Sequence, residues 1–356
     1  MKIIILSIFC LLTFIPSKAQ ENLSNGRNYY DMAIATVAQN RTTTWAKAEA
    51  DELFRKALPY LQAAAKEGYG EACYLCGHMY RKGLGVAPDY TIAQRMYERG
   101  LEYGYEKGEA ELGWMYQQGM GCESDPYKAF EYYQKSADHG FAIGHFMLAQ
   151  CYYQGIGTQQ NISKFFELLQ LMDEEGKDDV DFEHNASILS RVYMYLGKFY
   201  QTVEAEWIEK DLEKAASYYI KSQTPGALYE AAILIHDEEL KIPLDKDGNY
   251  YRRTHYFEPI DLLYKAVSKH SNWVLKNEYM AHAYYLIVSY SLEKHINNNE
   301  FELFKCLSKS AQMGYGPAQK RLGDWYARGI GTPVNLLKAR EWYDKAKANG
   351  EEVPDE

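Results

Sequence analysis

The sequence predicts an all-α protein, an α/α superhelical solenoid of helix-turn-helix repeats, and three observations predict it. Landmark residues recur in stretches beginning at Ala72, Gly108 and Gly144, which lie 36 residues apart (108−72 and 144−108), a period that marks stacked supersecondary units. A pair of glycines followed by Asp or Asn falls at the same place in each stretch. Apolar positions follow helical spacing, and no alternating strand pattern competes.

The landmarks coincide residue by residue. The first copy has Cys76-Gly77, Tyr80, Gly83, Gly85, Asp89, Ala93, Tyr97 and Gly104; the second has Leu112-Gly113, Tyr116, Gly119, Gly121, Asp125, Ala129, Tyr133 and Gly140. The third has Leu148-Ala149, Tyr152, Gly155, Gly157, Asn161, Phe165, Leu169 and Gly176. The frame returns from Ala318 with Leu322-Gly323, Tyr326, Gly329, Gly331, Asn335, Ala339, Tyr343 and Gly350. A copy from His282, with Leu286, Tyr290, Asn299, Leu307 and Gly314, has lost both loop glycines.

Each landmark has a physical reason. The first loop glycine ends a first helix, because glycine enters the left-handed region without steric cost. Asp89, Asp125, Asn161 and Asn335 stand where a second helix must start, and a short side-chain acceptor there satisfies orphan amides. Asp125-Pro126 adds proline at the first helical position. Gly104, Gly140, Gly176 and Gly350 end the second helices, while Gly77, Gly113, Gly323, Ala93, Ala129 and Ala339 let helices approach and tyrosines fill between them.

The remaining elements are less regular. Residues 20–70 supply an earlier helix around Tyr30 to Gln39 and a second-type helix from Ala48 to Gly68. Residues 71–178 hold three repeats, 179–281 degraded repeats with insertions, 282–350 two repeats, and 351–356 a tail. Within 179–281, Leu189 and Tyr193 mark a first helix and Asp211 to Ala215 with Tyr218-Tyr219 a second; another pair covers Ala227 to Ile235 and Ile260 to His270. About seven or eight helix pairs in a right-handed, curved array are expected.

Residues 1–19 read as a signal peptide, with Lys2, the apolar run Ile3 to Ile15, and Ser17-Lys18-Ala19 offering small residues for cleavage. Cys10 lacks the small preceding residue that a lipoprotein signal needs. Cleavage removes Lys2 and Lys18 and moves the net charge from −10 to −12. No later stretch has the length and apolarity of a membrane span, so no stable membrane insertion is expected after cleavage. With 39 basic against 49 acidic residues and no basic cluster, nucleic acid is excluded as a partner.

The run Leu112-Gly113 to Tyr116, Gly119-Met120-Gly121, Asp125, Lys128-Ala129 and Tyr132-Tyr133-Gln134-Lys135-Ser136-Ala137 resembles the Sel1-like repeat, a tetratricopeptide-like family. The resemblance covers Ala72 to about Gly176 and His282 to Gly350. It implies a scaffold or adaptor whose concave helical surface holds a protein or peptide partner, with no catalysis. Some secreted relatives staple each repeat with a disulfide, a pairing this sequence lacks.

Chemistry-bearing residues are weighed against that reading. Cys73 and Cys76 form a C-x-x-C, but a redox site needs the motif at a helix start after a strand. His139 and His145 bracket a turn without a third metal ligand, so neither metal nor cofactor is expected. Asp245, Asp247 and Asn249 imitate a calcium loop, yet Tyr250 and Tyr256 occupy its glycine and glutamate positions. Ser291-Leu292-Glu293-Lys294 matches S-x-x-K without its companion motifs. Asn40, Asn161 and Asn185 head coincidental sequons. An enzyme, including a cell-wall or β-lactam hydrolase, is therefore disfavoured; periplasmic binding of cell-wall glycan or peptide fragments is the alternative to the scaffold, because exposed Tyr and Trp suit sugar faces.

A partner-binding strip follows from helical geometry. Ala72, Cys76 and Tyr80 share one side of their helix, so Tyr74, His78 and Arg81 project from the other; the frame adds Ala110, Trp114 and Gln117, then Phe146, Gln150 and Tyr153. The competing reading buries some of these aromatics against the next helix, which periodicity alone does not distinguish.

Overall fold

The computed structural model describes residues 17–39, 44–175, 182–202, 209–238, 240, 258–268, 276–294 and 299–354. Most of the expected signal segment, the Asp245–Asn249 turn, and Asn40 lie outside them, as does the side chain of Asn185. Among the described residues there are helices and no strands. They pair in order: α1 Lys18–Gln39 with α2 Thr44–Lys66, α3 Gly70–Lys82 with α4 Tyr90–Glu102, α5 Glu109–Gln118 with α6 Pro126–Asp138, and α7 Ala142–Gln154 followed by α8 Ile162–Glu175. Next come α9 Phe182–Thr202 with α10 Leu212–Ser222, α11 Pro225–Asp237 with α12 Pro259–Ser268, α13 Asn277–Glu293 with α14 Glu300–Gln312, and α15 Gly316–Arg328 with α16 Leu336–Ala348. The chain forms two compact units, residues 1–172 and 173–356. Within each unit helices pack on their neighbours in sequence, as α3 does on α4 and α9 on α10.

One loop design recurs in both units. The first helix ends on a left-handed glycine, with φ of 71° at Gly83, 68° at Gly119, 73° at Gly155 and 74° at Gly329. The second begins on an Asp or Asn whose side chain accepts from the first turn: Asp89 from Ile92 N at 2.8 Å, Asp125 from Lys128 N at 3.0 Å, Asn161 from Lys164 N at 3.0 Å and Asn335 from Lys338 N at 3.0 Å. The N–H of that same capping residue donates back to a first-helix tyrosine carbonyl, Asp125 N to Tyr116 O at 2.9 Å and Asn335 N to Tyr326 O at 2.8 Å. Each loop thus closes its own polar groups.

Close approach explains the helical glycines. A Cβ on Gly113 would stand 2.7 Å from the Tyr133 ring carbons, and one on Gly323 2.6 Å from the Tyr343 ring. The glycine is a socket and the tyrosine its plug. Stacking is equally tight: a Cβ on Gly121 would meet the Tyr90 carbonyl oxygen, on the preceding second helix, at 2.5 Å.

Cores lie within each unit. In unit 1, Phe54, Leu61, Met79, Tyr97, Leu112, Met115, Tyr133 and Leu169 are fully or almost fully buried; in unit 2, Leu196, Leu228, Leu262, Ile287 and Leu307 are. A cation covers the first-helix tyrosine at several loops, with Lys128 Nζ 5.1 Å from the Tyr116 ring centroid, Lys164 Nζ 5.0 Å from Tyr152 and Lys338 Nζ 5.3 Å from Tyr326.

Candidate first-helix interaction surface

The expected strip runs along α3, α5 and α7 in unit 1. Arg81, in the last turn of α3, is its anchor. Its Nη2 donates to Glu111 Oε1 on α5 at 3.1 Å, its Nε donates to Tyr97 Oη on α4 at 3.3 Å, and its guanidinium carbon lies 5.4 Å from the Trp114 ring centroid. The side chains of Arg81 and Glu111 are 10% and 23% exposed, so this ion pair is largely withdrawn from water and joins two successive repeats. Trp114 is half-buried and packs with Tyr74 and Tyr80 against Tyr97, Leu112 and Met115.

The neighbouring positions are also engaged. Tyr74 tilts against Tyr97 and Tyr105 at centroid distances of 5.8 and 5.5 Å. Tyr30 Oη and His78 Nδ1 are 2.6 Å apart. Burial pushes the Tyr30, Tyr74 and Tyr97 hydroxyls well above the ordinary phenol range, so they serve as neutral hydrogen-bonding groups.

One repeat further on the strip changes character. Gln117 Oε1 accepts from Tyr133 Oη at 2.8 Å. Phe146 is 1% exposed and belongs to the packed interior, while Tyr153 is half-buried with its ring 4.8 Å from Phe165. Gln150 is 9% exposed; its Oε1 accepts from Gln154 Nε2 at 3.4 Å, and its own Nε2 has no hydrogen-bond partner. The structure therefore brings Tyr74, Arg81 and Trp114 into one cluster, ties His78 to α1 and Gln117 to α6, and withdraws Phe146 from the surface.

Sequence reasoning missed Glu111, Tyr97 and Tyr30 as partners of this strip. A signal for part of it exists: Tyr97 bonds Arg81 and Tyr133 bonds Gln117 across the same separation of 16 residues. Glu111 and Tyr30 stand 30 and 48 residues from their partners in other repeats, where spacing gives no guide.

Other candidate groups are occupied structurally. Cys73 and Cys76 are buried free thiols within α3, and burial raises both, Cys76 to about 12; such thiols are poor nucleophiles. His139 Nδ1 lies 2.8 Å from Glu109 Oε2. Among the described residues no group of three His, Cys, Asp or Glu side chains could hold a metal ion, and no helix is long and apolar enough to cross a membrane.

Comparison with known proteins places these repeats. The model of the Sel1 repeat matches residues 70–105, 107–141, 142–172, 192–222 and 316–351. The degraded pair α9 and α10 is thus matched, whereas the matched segments do not include α13 and α14, which lack the loop glycines. No curated protein matches the chain. Among solved structures, a Sel1 repeat protein from Oxalobacter formigenes is 21% identical, with 91% of this chain and 98% of that chain covered and a TM-score of 0.45. A protective antigen present in uropathogenic Escherichia coli strains, displaying an SLR fold, is 21% identical with 93% and 77% covered and a TM-score of 0.40. An immunity protein from Pseudomonas aeruginosa is 17% identical, with 74% and 81% covered and a TM-score of 0.35.

Proposed function

We propose that this chain, which carries Sel1 repeats, is an exported scaffold that holds a protein or peptide partner along the α3–α5–α7 face and performs no chemistry of its own. Sel1 repeats generally mediate protein interactions. The observation that carries the reading is the cluster of Tyr74, Arg81 and Trp114, in which a half-buried indole lies beside a guanidinium on the first-helix face. Trp114 beside Arg81 supplies an aromatic anchor of the kind that dominates interfaces.

Export rests on the N-terminal pattern of Lys2, the apolar run Ile3 to Ile15 and the cleavage-site residues to Ala19. The mature protein recovered from the envelope should begin at Gln20 by intact mass, and a full-length cytosolic product would overturn that part.

The strip is tested by capture from envelope extract with the full mature chain. Trp114→Ala should weaken the interaction by about 2 kcal/mol. Tyr127→Ala, at a position 73% exposed on α6, should retain it. Equal capture by all three proteins, or no specific capture by the parent chain, overturns the proposal.

A further inference from the structure

Among the described residues three arginines bridge successive first helices, and two of them meet a carboxylate, Arg27 of α1 reaching Glu71 of α3 at 3.0 Å. Arg81 in unit 1 meets Glu111. In unit 2, Arg321 on α15 reaches back to α13, where its Nη1 donates to Ser289 Oγ at 2.7 Å and its guanidinium carbon lies 4.6 Å from the Tyr285 ring centroid. Among the described residues no carboxylate pairs with it. Asp324, one turn along the same helix, accepts from Tyr343 Oη at 2.8 Å.

We propose that Arg321 and Tyr285 form a carboxylate-binding site, one that receives a carboxylate of a peptide partner on the first-helix face of unit 2. A guanidinium carries five N–H donors in a planar fork that matches a carboxylate with two parallel bonds. Ser289 takes one donor, so the rest of the fork is left for an incoming acceptor. Tyr285 beneath the cation and Ser289 at its edge hold the group in place, which lowers the ordering cost of binding. The chain carries a net charge of −10, and Arg321 is half-buried with its guanidinium held by an aromatic ring and a hydroxyl.

The surroundings select the ligand. The Tyr315 ring lies 5.2 Å from the Tyr285 ring and 5.2 Å from His282, whose Nδ1 is 2.7 Å from Tyr229 Oη. These walls are aromatic and uncharged: burial holds His282 below the ordinary imidazole range. Among the described residues no second cation stands over Tyr285 or Tyr315, so the site suits one carboxylate better than a phosphate dianion. It uses residues of a different unit from the Trp114 strip, so either can fail alone.

The test uses the full mature chain with its arginine side chains labelled with ¹⁵N. The Arg321 resonance is assigned by its disappearance in Arg321→Lys, and Arg81 serves as the internal control. N-acetylglycine presents a terminal carboxylate, N-acetylglutamic acid α-amide a side-chain carboxylate, and N-acetylglycinamide neither. Arg321 should shift saturably with at least one carboxylate and not with the amide, while Arg81 stays still; the tighter carboxylate names the peptide group recognised. Calorimetric titration with the tighter carboxylate should show binding about tenfold or more weaker in Arg321→Lys than in the parent chain, because lysine lacks the fork. An Arg321 signal that does not move, moves equally with the amide, or moves in parallel with Arg81 overturns the proposal.

Discussion

On α5 and α6, Gly113 receives the ring of Tyr133, and the tyrosine hydroxyl passes beyond the socket to donate to Gln117. On α13 and α14 the same two frame positions hold Ile287 and Leu307, both fully buried, and no hydroxyl emerges. Burial at these positions is therefore common to the regular and irregular pairs, but its shape is distributed differently. The regular pair concentrates volume in one aromatic plug, which fills the core and also carries a polar handle to the first-helix face. The irregular pair fills with aliphatic side chains and makes no such link.

The sharpest way to break this comparison is Gly113→Ala. With the new methyl 2.7 Å from the ring, the variant should lose about 3 kcal/mol in urea unfolding, the upper range for overpacking. Adding Tyr133→Leu should restore most of that loss. Simple additivity of the two changes would remove the socket from the account, since coupled neighbours must show an interaction energy.

A smaller effect separates the loop designs. Asp125→Ala should cost about 1 kcal/mol through its two first-turn amides, Tyr127 N and Lys128 N, without changing partner capture. Thr224→Ala at the start of α11, where the capping bond to Ala227 N is 3.4 Å long, should cost less. The reverse order in matched unfolding experiments would show that cap geometry does not set the difference.

The least effect concerns pH. The hydrogen bond to Glu109 raises the pKa of His139 against the opposing pull of burial, with the Glu109 charge adding to the rise. A raised imidazole stabilises the fold fully below its unfolded value, near 6.5, and the contribution is lost as pH climbs through the folded value. The melting-temperature advantage of the parent chain over His139→Gln should accordingly be greatest at acidic pH and shrink towards pH 8. An advantage that grows with pH would reverse the assignment.

The elements that the sequence reveals are those whose cause is local. Gly119 and Asp125 announce a helix end and a helix start because each acts on the backbone within a turn of itself, and Asp211 does the same for α10 where the loop glycines are missing. The site is less legible because its partners are remote. His78 meets Tyr30 and Arg81 meets Glu111 through the stacking of repeats, and no period in the chain encodes which side chain stands opposite. Phe146 illustrates the limit most clearly. Its spacing matches that of Tyr74, but a helix flanked on both sides buries a second stripe that periodicity does not distinguish from a groove.

The self-closed loop has a practical use. Asp211 N donates to Tyr200 O at 3.0 Å as Asp125 N does to Tyr116 O at 2.9 Å, although the bonded residues stand 211−200 = 11 positions apart in one case and 125−116 = 9 in the other. The longer spacing has left the closing hydrogen bond in place. Doubling a loop's length costs only about 0.6 kcal/mol in closure entropy, so an affinity tag or a fluorophore-bearing segment inserted between Thr202 and Asp211 would report on the protein without unseating a repeat.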